Sequence, residues 1–286
     1  MTTIRTQYVG FVQHRAEELS MSLTFCTLFS GSSGNAAYLS GDEGGVLVDC
    51  GMSCKQVLAA MREAQLDPCS VKALLITHEH SDHVRGAGVV SRQLGIPVYA
   101  TEGTWNGMER TVGDILPQGR VVITAGESFF LGGFEVAAFS IPHDANDPVG
   151  YRFYMRRHSV AVATDLGYFS QTVYDAVSGA EVVLLESNHD PDLLKQNPHY
   201  PQPLKSRILG KKGHLSNEAG ADAAARLLNA GAKHLLLGHL SKENNTPDMA
   251  YRTTHGVLSA EGAVVGRDVS LHVAARHRAS FLYRLA

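Results

Sequence analysis

Thr77-His78-Glu79-His80-Ser81-Asp82-His83 gathers three imidazoles and two carboxylates into one short run. Neutral imidazole and carboxylate are donors suited to Zn, Mn or Fe. Five potential donors exceed what one tetrahedral ion takes, so the economical reading is two ions sharing one site. Such a pair would lower the pKa of water from about 15.7 toward about 7 and clamp the non-bridging oxygens of a phosphodiester. The nucleophile would be a metal-bridging hydroxide, and no serine or cysteine is called for. The run follows Ala73-Leu74-Leu75-Ile76, a short apolar stretch that reads as a buried strand. Its donors therefore stand at a strand end, where a rigid sheet can aim several side chains at one point.

A two-ion site needs about seven donors with one shared, so the remainder should also lie at strand ends. His143 follows Phe139-Ser140-Ile141-Pro142, Asp165 follows the run from Val160 to Thr164, and His239 follows Leu235-Leu236-Leu237-Gly238. These three complete the candidate ligand set His78, His80, Asp82, His83, His143, Asp165 and His239.

The elements that must hold them alternate along the chain. Strands are predicted from Leu23 to Phe29, Ala36 to Leu39, Gly45 to Asp49, Ala73 to Ile76 and Ile96 to Thr101. Ser53 is a plausible N-cap for a helix to about Gln65, with Val57, Leu58 and Met61 on one face. A second helix is predicted from Asp82 through Val84 to Leu94. Hairpins are expected around Gly132-Gly133 and around Arg156-Arg157-His158. Then come helix 171–177, strand 181–186, helix 217–229, strand 234–237, helix 248–258 and strand 269–274. Strands followed by helices in both halves point to two sheets packed together with helices outside.

At 286 residues, 44 % hydrophobic and 19 % charged, the composition is that of an ordinary soluble globular protein. No stretch approaches the roughly 20 apolar residues that span a bilayer. The first twenty residues lack an apolar core and carry Glu17 and Glu18, so a secretory leader is not expected. Residues 1–21 read as an extension ahead of one domain at 22–286. The four cysteines, without a Cys-x-x-Cys pair, fit reduced thiols in the cytoplasm. A net charge of −3 argues against wholesale coating of nucleic acid, so a polyanion would need a local basic patch.

The ordered set His-x-His-x-Asp-His, His143, Asp165 and His239 resembles the metallo-β-lactamase superfamily, from about Leu23 to the C-terminus. The resemblance implies an αββα sandwich, with two mixed β-sheets face to face and helices outside. It implies that His78, His80 and His143 hold one ion, that Asp82, His83 and His239 hold the other, and that Asp165 bridges them. Four further motifs are similar to those of the YycJ/WalJ-like group of bacterial exonucleases. They are Phe29 to Asn35, Pro142 to Gly150, Glu186-Ser187-Asn188-His189-Asp190, and Gly213-His214-Leu215-Ser216-Asn217. The segment 191–203, with Pro191, Pro198, Pro201 and Pro203, departs from the pattern. The interval from Asp165 to His239 is too short for the helical insertion of the β-CASP nucleases.

Within this frame Asp82 is expected to ligate and to orient the nucleophile, and His214 to serve as general acid or phosphate contact. His214 could equally be a loop residue before a helix capped by Ser216. Lys205, Arg207, Lys211 and Lys212 form a basic run that is either a phosphate-contact patch or a solvated face. Ser32, Ser33 and Asn35 could offer a phosphate a small turn, and His189 is a second substrate-binding candidate. Trp105 and Tyr99 could stack on bases, although core packing fits them better. The leading expectation is a two-metal phosphodiesterase on nucleic acid, a 5′-to-3′ DNA exonuclease by resemblance, with Zn or Mn favoured and Fe allowed. The rivals are a glyoxalase II-like thioester hydrolase and a non-catalytic metal-containing binding protein.

Overall fold

Alternation along the central strands divides their apolar residues between two faces. The structure, a computed structural model, describes residues 22–286, so the extension expected at 1–21 lies outside the described residues. Every residue of β1 (Leu23–Phe29) is buried. Leu23 and Phe25 enter one apolar layer, and Cys26 and Leu28 enter another. In β4 (Val71–Leu75), Ala73 and Leu75 join the first layer and Leu74 joins the second. In β12 (His234–Gly238), Leu236 joins the first, whereas Leu235 and Leu237 join a third. Side chains alternate between the faces of a strand, so strands apolar throughout must be covered on both. The first layer lies between two sheets and the other two lie beneath helices, which is the αββα arrangement.

Among the described residues each sheet has seven strands. The first runs β14 (Tyr283–Leu285), β1, β2 (Ala36–Gly41), β3 (Gly44–Val48), β4, β5 (Val98–Thr101), β6 (Arg120–Ile123). The second runs β13 (Ser270–Val273), β12, β11 (Val182–Glu186), β10 (His158–Ala163), β9 (Val149–Met155), β8 (Phe134–Ser140), β7 (Ser128–Leu131). From β3 to β6 and from β10 to β13 the pairing is parallel; all other pairs are antiparallel. Loops after parallel strands gather at one edge of a sheet, which is where open α/β sheets place their ligands. The sheets are tied near that edge. The Tyr151 hydroxyl donates to the Ile76 carbonyl at 2.6 Å, and the Val149 N–H donates to the Thr77 carbonyl at 2.9 Å.

Helix α1 (Cys54–Glu63) begins at a capping box of Ser53 and Gln56 and buries Val57, Leu58 and Met61. The single helix predicted from Asp82 to Leu94 is instead two, α2 (Ser81–Val84) and α3 (Ala87–Leu94). The break has a packing cause. The Gly86 N–H donates to the Cys50 carbonyl, and a Cβ at Gly86 would stand 2.0 Å from the Met52 carbonyl oxygen. The chain docks there on the turn after β3 rather than continuing its helix.

Several elements escaped the sequence reading: α4 (Glu102–Val112), β6, α6 (Pro191–Gln196), α7 (Gln202–Ile208) and β14. The helices α5 (Gln171–Val177), α8 (Asn217–Asn229) and α9 (Pro247–Ala260) lie close to their expected bounds. No helix among the described residues is long and apolar enough to cross a membrane.

Candidate metal centre

The seven candidate ligands, from both sheets, converge at the C-terminal edge of the parallel strands. His78 Nε2 lies 3.1 Å from His80 Nδ1, and His143 Nε2 lies 3.3 Å from that same atom. Alongside, His83 Nε2 is 3.6 Å and His239 Nε2 is 3.5 Å from Asp82 Oδ2. Asp165 stands between the two groups, with Oδ2 3.4 Å from His83 Nε2 and Oδ1 3.7 Å from His143 Nε2. The triads His78–His80–His143 and Asp82–His83–His239 each bring their donor atoms within 4.8 Å of one another.

Two features test whether these residues fit divalent cations. Three ring nitrogens face one another at His78, His80 and His143, so protons alone leave lone pairs opposed. The buried Oδ2 of Asp165 has no hydrogen-bond donor among the described residues. A cation in each triad would satisfy both, and the donor set is that of Zn, Mn or Fe.

The outer ring nitrogens are held by acceptors. His83 Nδ1 donates to Asp49 Oδ2 at 2.8 Å, and Asp49 also accepts from the Thr77 N–H and hydroxyl. His143 Nδ1 donates to the Gly213 carbonyl at 3.1 Å. His239 Nδ1 and His214 Nδ1 both donate to Glu186 Oε1, at 2.9 and 2.8 Å. The other Glu186 oxygen accepts from the N–H groups of Leu166 and Leu215. An acceptor on one ring nitrogen fixes the tautomer and leaves the opposite lone pair to point inward.

The protein's own charges balance this cluster. Burial lowers the pKa of His78, and the imidazoles of His83, His143, His80 and His239 hold it lower still, well below the usual range. Burial also pushes His83 down, but Asp165, Asp49 and Asp82 carry it up to about 9. Burial opposes ionisation of Glu186, yet His214 and His239 keep it below the usual carboxylate range. Asp165 is held low against its burial by His239, His83 and His143. Burial favours the neutral rings of His78 and His143, and the carboxylates are firmly ionised, as ligation requires; the acids around His83 and His239 favour their protonated rings, and a bound cation would have to displace those protons.

The backbone is bent to the task. Asp49, Asp165 and His239 take left-handed conformations, with φ of 61°, 61° and 56°. Each directly follows, or nearly follows, a strand of the parallel sets. Positive φ in a residue other than glycine stores strain and clusters at functional sites.

The side chains of His78, His83, His143, Asp165 and His239 are almost wholly buried, whereas Asp82 is 22 % and His214 21 % exposed. The mouth of the site is therefore lined by His80, Asp82 and His214, the last two being the groups that the sequence marks for catalysis. Asn35 is turned inward: its amide lies 3.1 Å from His83 Nε2 and its N–H donates to the Asp82 carbonyl. Ser32 is exposed at the tip of that turn. Arg207 pairs with Asp144, whose other oxygen is 3.5 Å from His143 Nε2, so α7 reaches the rim through a salt bridge. Lys205 Nζ donates to the Lys195 carbonyl, and Lys211 is exposed beside Gly167. His189 is 1 % exposed, its ring nitrogens have no partner among the described residues, and burial lowers its pKa to about 4. Trp105 is core, and Tyr99 stacks on Phe129 between the sheets.

Asp49 and Glu186 were not among the sequence candidates for the site. Asp49 carried the same signal as Asp165, an aspartate closing an apolar strand.

Fold and centre together define a metal-dependent hydrolase with two adjoining triads that could each hold an ion. The Beta-lactamase superfamily domain matches residues 45–240, and the chain belongs to that superfamily. Among named relatives it is 39 % identical over 252 residues to the exodeoxyribonuclease YycJ of Bacillus anthracis, covering 88 % of this chain and 95 % of that one. It is also 39 % identical over 250 residues to the exodeoxyribonuclease WalJ of Streptococcus pneumoniae, covering 87 % and 93 %. The chain is thus a member of the YycJ/WalJ family. The metallo-β-lactamase fold protein YhfI from Bacillus subtilis shares the fold at a TM-score of 0.68 and 16 % identity, over 92 % of this chain and 99 % of that one.

Proposed function

We propose that the protein is a two-metal phosphodiesterase that degrades DNA from its ends in the 5′-to-3′ direction. The observation that carries this reading is the near-full-length likeness to exodeoxyribonucleases over a convergent seven-residue ligand set. His78, His80 and His143 would hold one divalent ion and Asp82, His83 and His239 the other, with Asp165 shared. Zn or Mn suits these donors best. When bound, the ions supply an activated water and neutralise charge on the phosphate.

The chain's own groups do the rest. Asp82, at the mouth, accepts a hydrogen bond from the attacking water and orients it. His214 donates a proton to the leaving oxygen from Nε2, while Glu186 grips its Nδ1 and stabilises the charged ring. Of the candidate substrate contacts, Ser32, Lys205, Arg207 and Lys211 reach the surface, whereas Asn35 and His189 are buried and would act only through the walls of the site. The cytoplasm, where free thiols persist and nucleic acid is plentiful, is the fitting compartment.

The test is a panel of end-labelled single- and double-stranded DNA and RNA, incubated with protein loaded with Mn²⁺ or Zn²⁺. Mononucleotides should be released from 5′ ends, and His78→Ala should release none. Inertness toward both DNA and RNA, with His78→Ala indistinguishable from wild type, sinks the reading. Hydrolysis of a glutathione thioester instead would favour the small-substrate rival. Retention of two ions with no ester turned over would favour a binding protein.

A further inference from the structure

A strand delivered to the centre must also lie somewhere beyond it. After β13 the chain passes the turn after β1 at Arg276, donates from the Ser280 N–H to the Thr27 carbonyl, and returns as β14. Arg276 stands at the turn after β1: a Cβ at Gly31 would lie 2.9 Å from Arg276 Nη1 and 3.0 Å from the carbonyl of Leu240, the neighbour of His239. Its Nη1 is buried without an acceptor among the described residues. The acid in its field is Glu243, itself 3.6 Å from Lys242. Arg278 follows, exposed.

Next along this edge, Phe281 is 54 % exposed. Its ring lies 4.6 Å from that of His272 at 9°, and 4.9 Å from that of Tyr283 at 63°. Beyond it is a surface pocket of about 400 Å³ lined by residues 281–285 and His234, with Arg284 at its wall. A merely structural aromatic cap would explain Tyr283, which is buried. It leaves unexplained an exposed phenylalanine face held flat by a histidine, with arginines on either side.

We propose that this edge, from Arg276 past Phe281 to Arg284, is a track for single-stranded DNA. The exposed Arg278 and Arg284 contact phosphates, Arg276 adds its charge from beneath, and a base stacks on the exposed Phe281 ring. The proposal rests on the DNA-cleaving reading and deepens it. Helix α7 approaches the centre on the His143 side; the track leaves it on the His239 side. Positive charge with an interleaved aromatic ring matches a chain of phosphates and bases, and every base offers a face for stacking.

The test is fluorescence anisotropy of a labelled, nuclease-resistant phosphorothioate single strand with the full, ion-loaded protein. Phe281→Leu, which keeps apolar bulk, should weaken binding about five-fold or more, and Phe281→Trp should bind like wild type. Arg276→Ala and Arg278→Ala should each flatten the slope of log affinity against log salt by about 0.7. Thermal melting checks that each variant is folded. If wild type binds and cuts DNA while Phe281→Leu and Arg278→Ala bind as it does, the track is wrong and the nuclease reading stands. If wild type neither binds nor cuts DNA, both fall together.

Discussion

Asp49 never faces the proposed ions, yet it decides how His83 does. Its carboxylate accepts hydrogen bonds from His83 Nδ1–H and from both donors of Thr77, so one side chain sets a candidate ligand's tautomer and pins the start of the ligand loop. Asp49→Asn should lower ion affinity by about 10- to 100-fold while the fold persists. Chelator competition with Zn²⁺ would measure it, and unchanged affinity would remove Asp49 from the design. Glu186 serves His214 and His239 together. Glu186→Gln should therefore depress turnover and ion affinity in one step, whereas His214→Ala should depress turnover and leave two ions bound. Elemental analysis beside the nuclease assay separates the two variants. The convergence of the seven candidate ligands was legible because imidazoles and carboxylates behind apolar strands form a rare pattern. Glu186 was harder to read, because a glutamate that closes a strand usually faces water; only the rings packed around it reveal otherwise.

At the scale of elements, the ligand loop is seated by close backbone contact. A Cβ at Gly51 would lie 1.7 Å from the Asp82 carbonyl oxygen, so Gly51→Ala must push the loop after β4 away from the turn after β3. Loss of tightly held ions is expected, together with a destabilisation of about 1–3 kcal/mol. A denaturant titration beside metal analysis would check both. Long strands with apolar residues on both faces were readable, as was α1 with its capping box. Helix α4 was not, because Gly103 and Gly107 weaken its propensity. Those glycines answer tertiary demands: a Cβ would meet Asp147 at one and Glu79 at the other. The prolines near α6 and α7 looked like loop signals. Yet Pro191 and Pro203 lie in first turns, where the missing N–H costs nothing, so they begin helices instead of preventing them.

The whole molecule is two halves of similar plan, each an antiparallel set followed by parallel strands. Asp49 and Asp165 occupy related places in the two halves, and both are bent to the same φ. One half supplies His78, His80, Asp82 and His83, and the other supplies His143, Asp165 and His239, so ions would join the sheets. At a thousand-fold excess over Kd, binding adds about 4 kcal/mol to stability. Chelation should then lower Tm by roughly 5 to 15 °C, reversed by Zn²⁺ or Mn²⁺ in a calorimeter. Protein alone also joins the halves, since the Tyr151 hydroxyl of the second sheet reaches the Ile76 carbonyl of the first. Tyr151→Phe should cost about 1–3 kcal/mol by orphaning that carbonyl.

The left-handed bends at Asp49, Asp165 and His239 carry a consequence for anyone breeding this protein for heat resistance. Glycine tolerates such bends without the clash of a side chain, but at Asp165 it would strip four neighbouring imidazoles of the carboxylate they share. A screen that rewards survival alone, run with Zn²⁺ present, should therefore keep all three bends, because ions that contribute about 4 kcal/mol outweigh the ~1 kcal/mol a relaxed bend returns. Breeding for hardiness would then preserve the chemistry as a by-product.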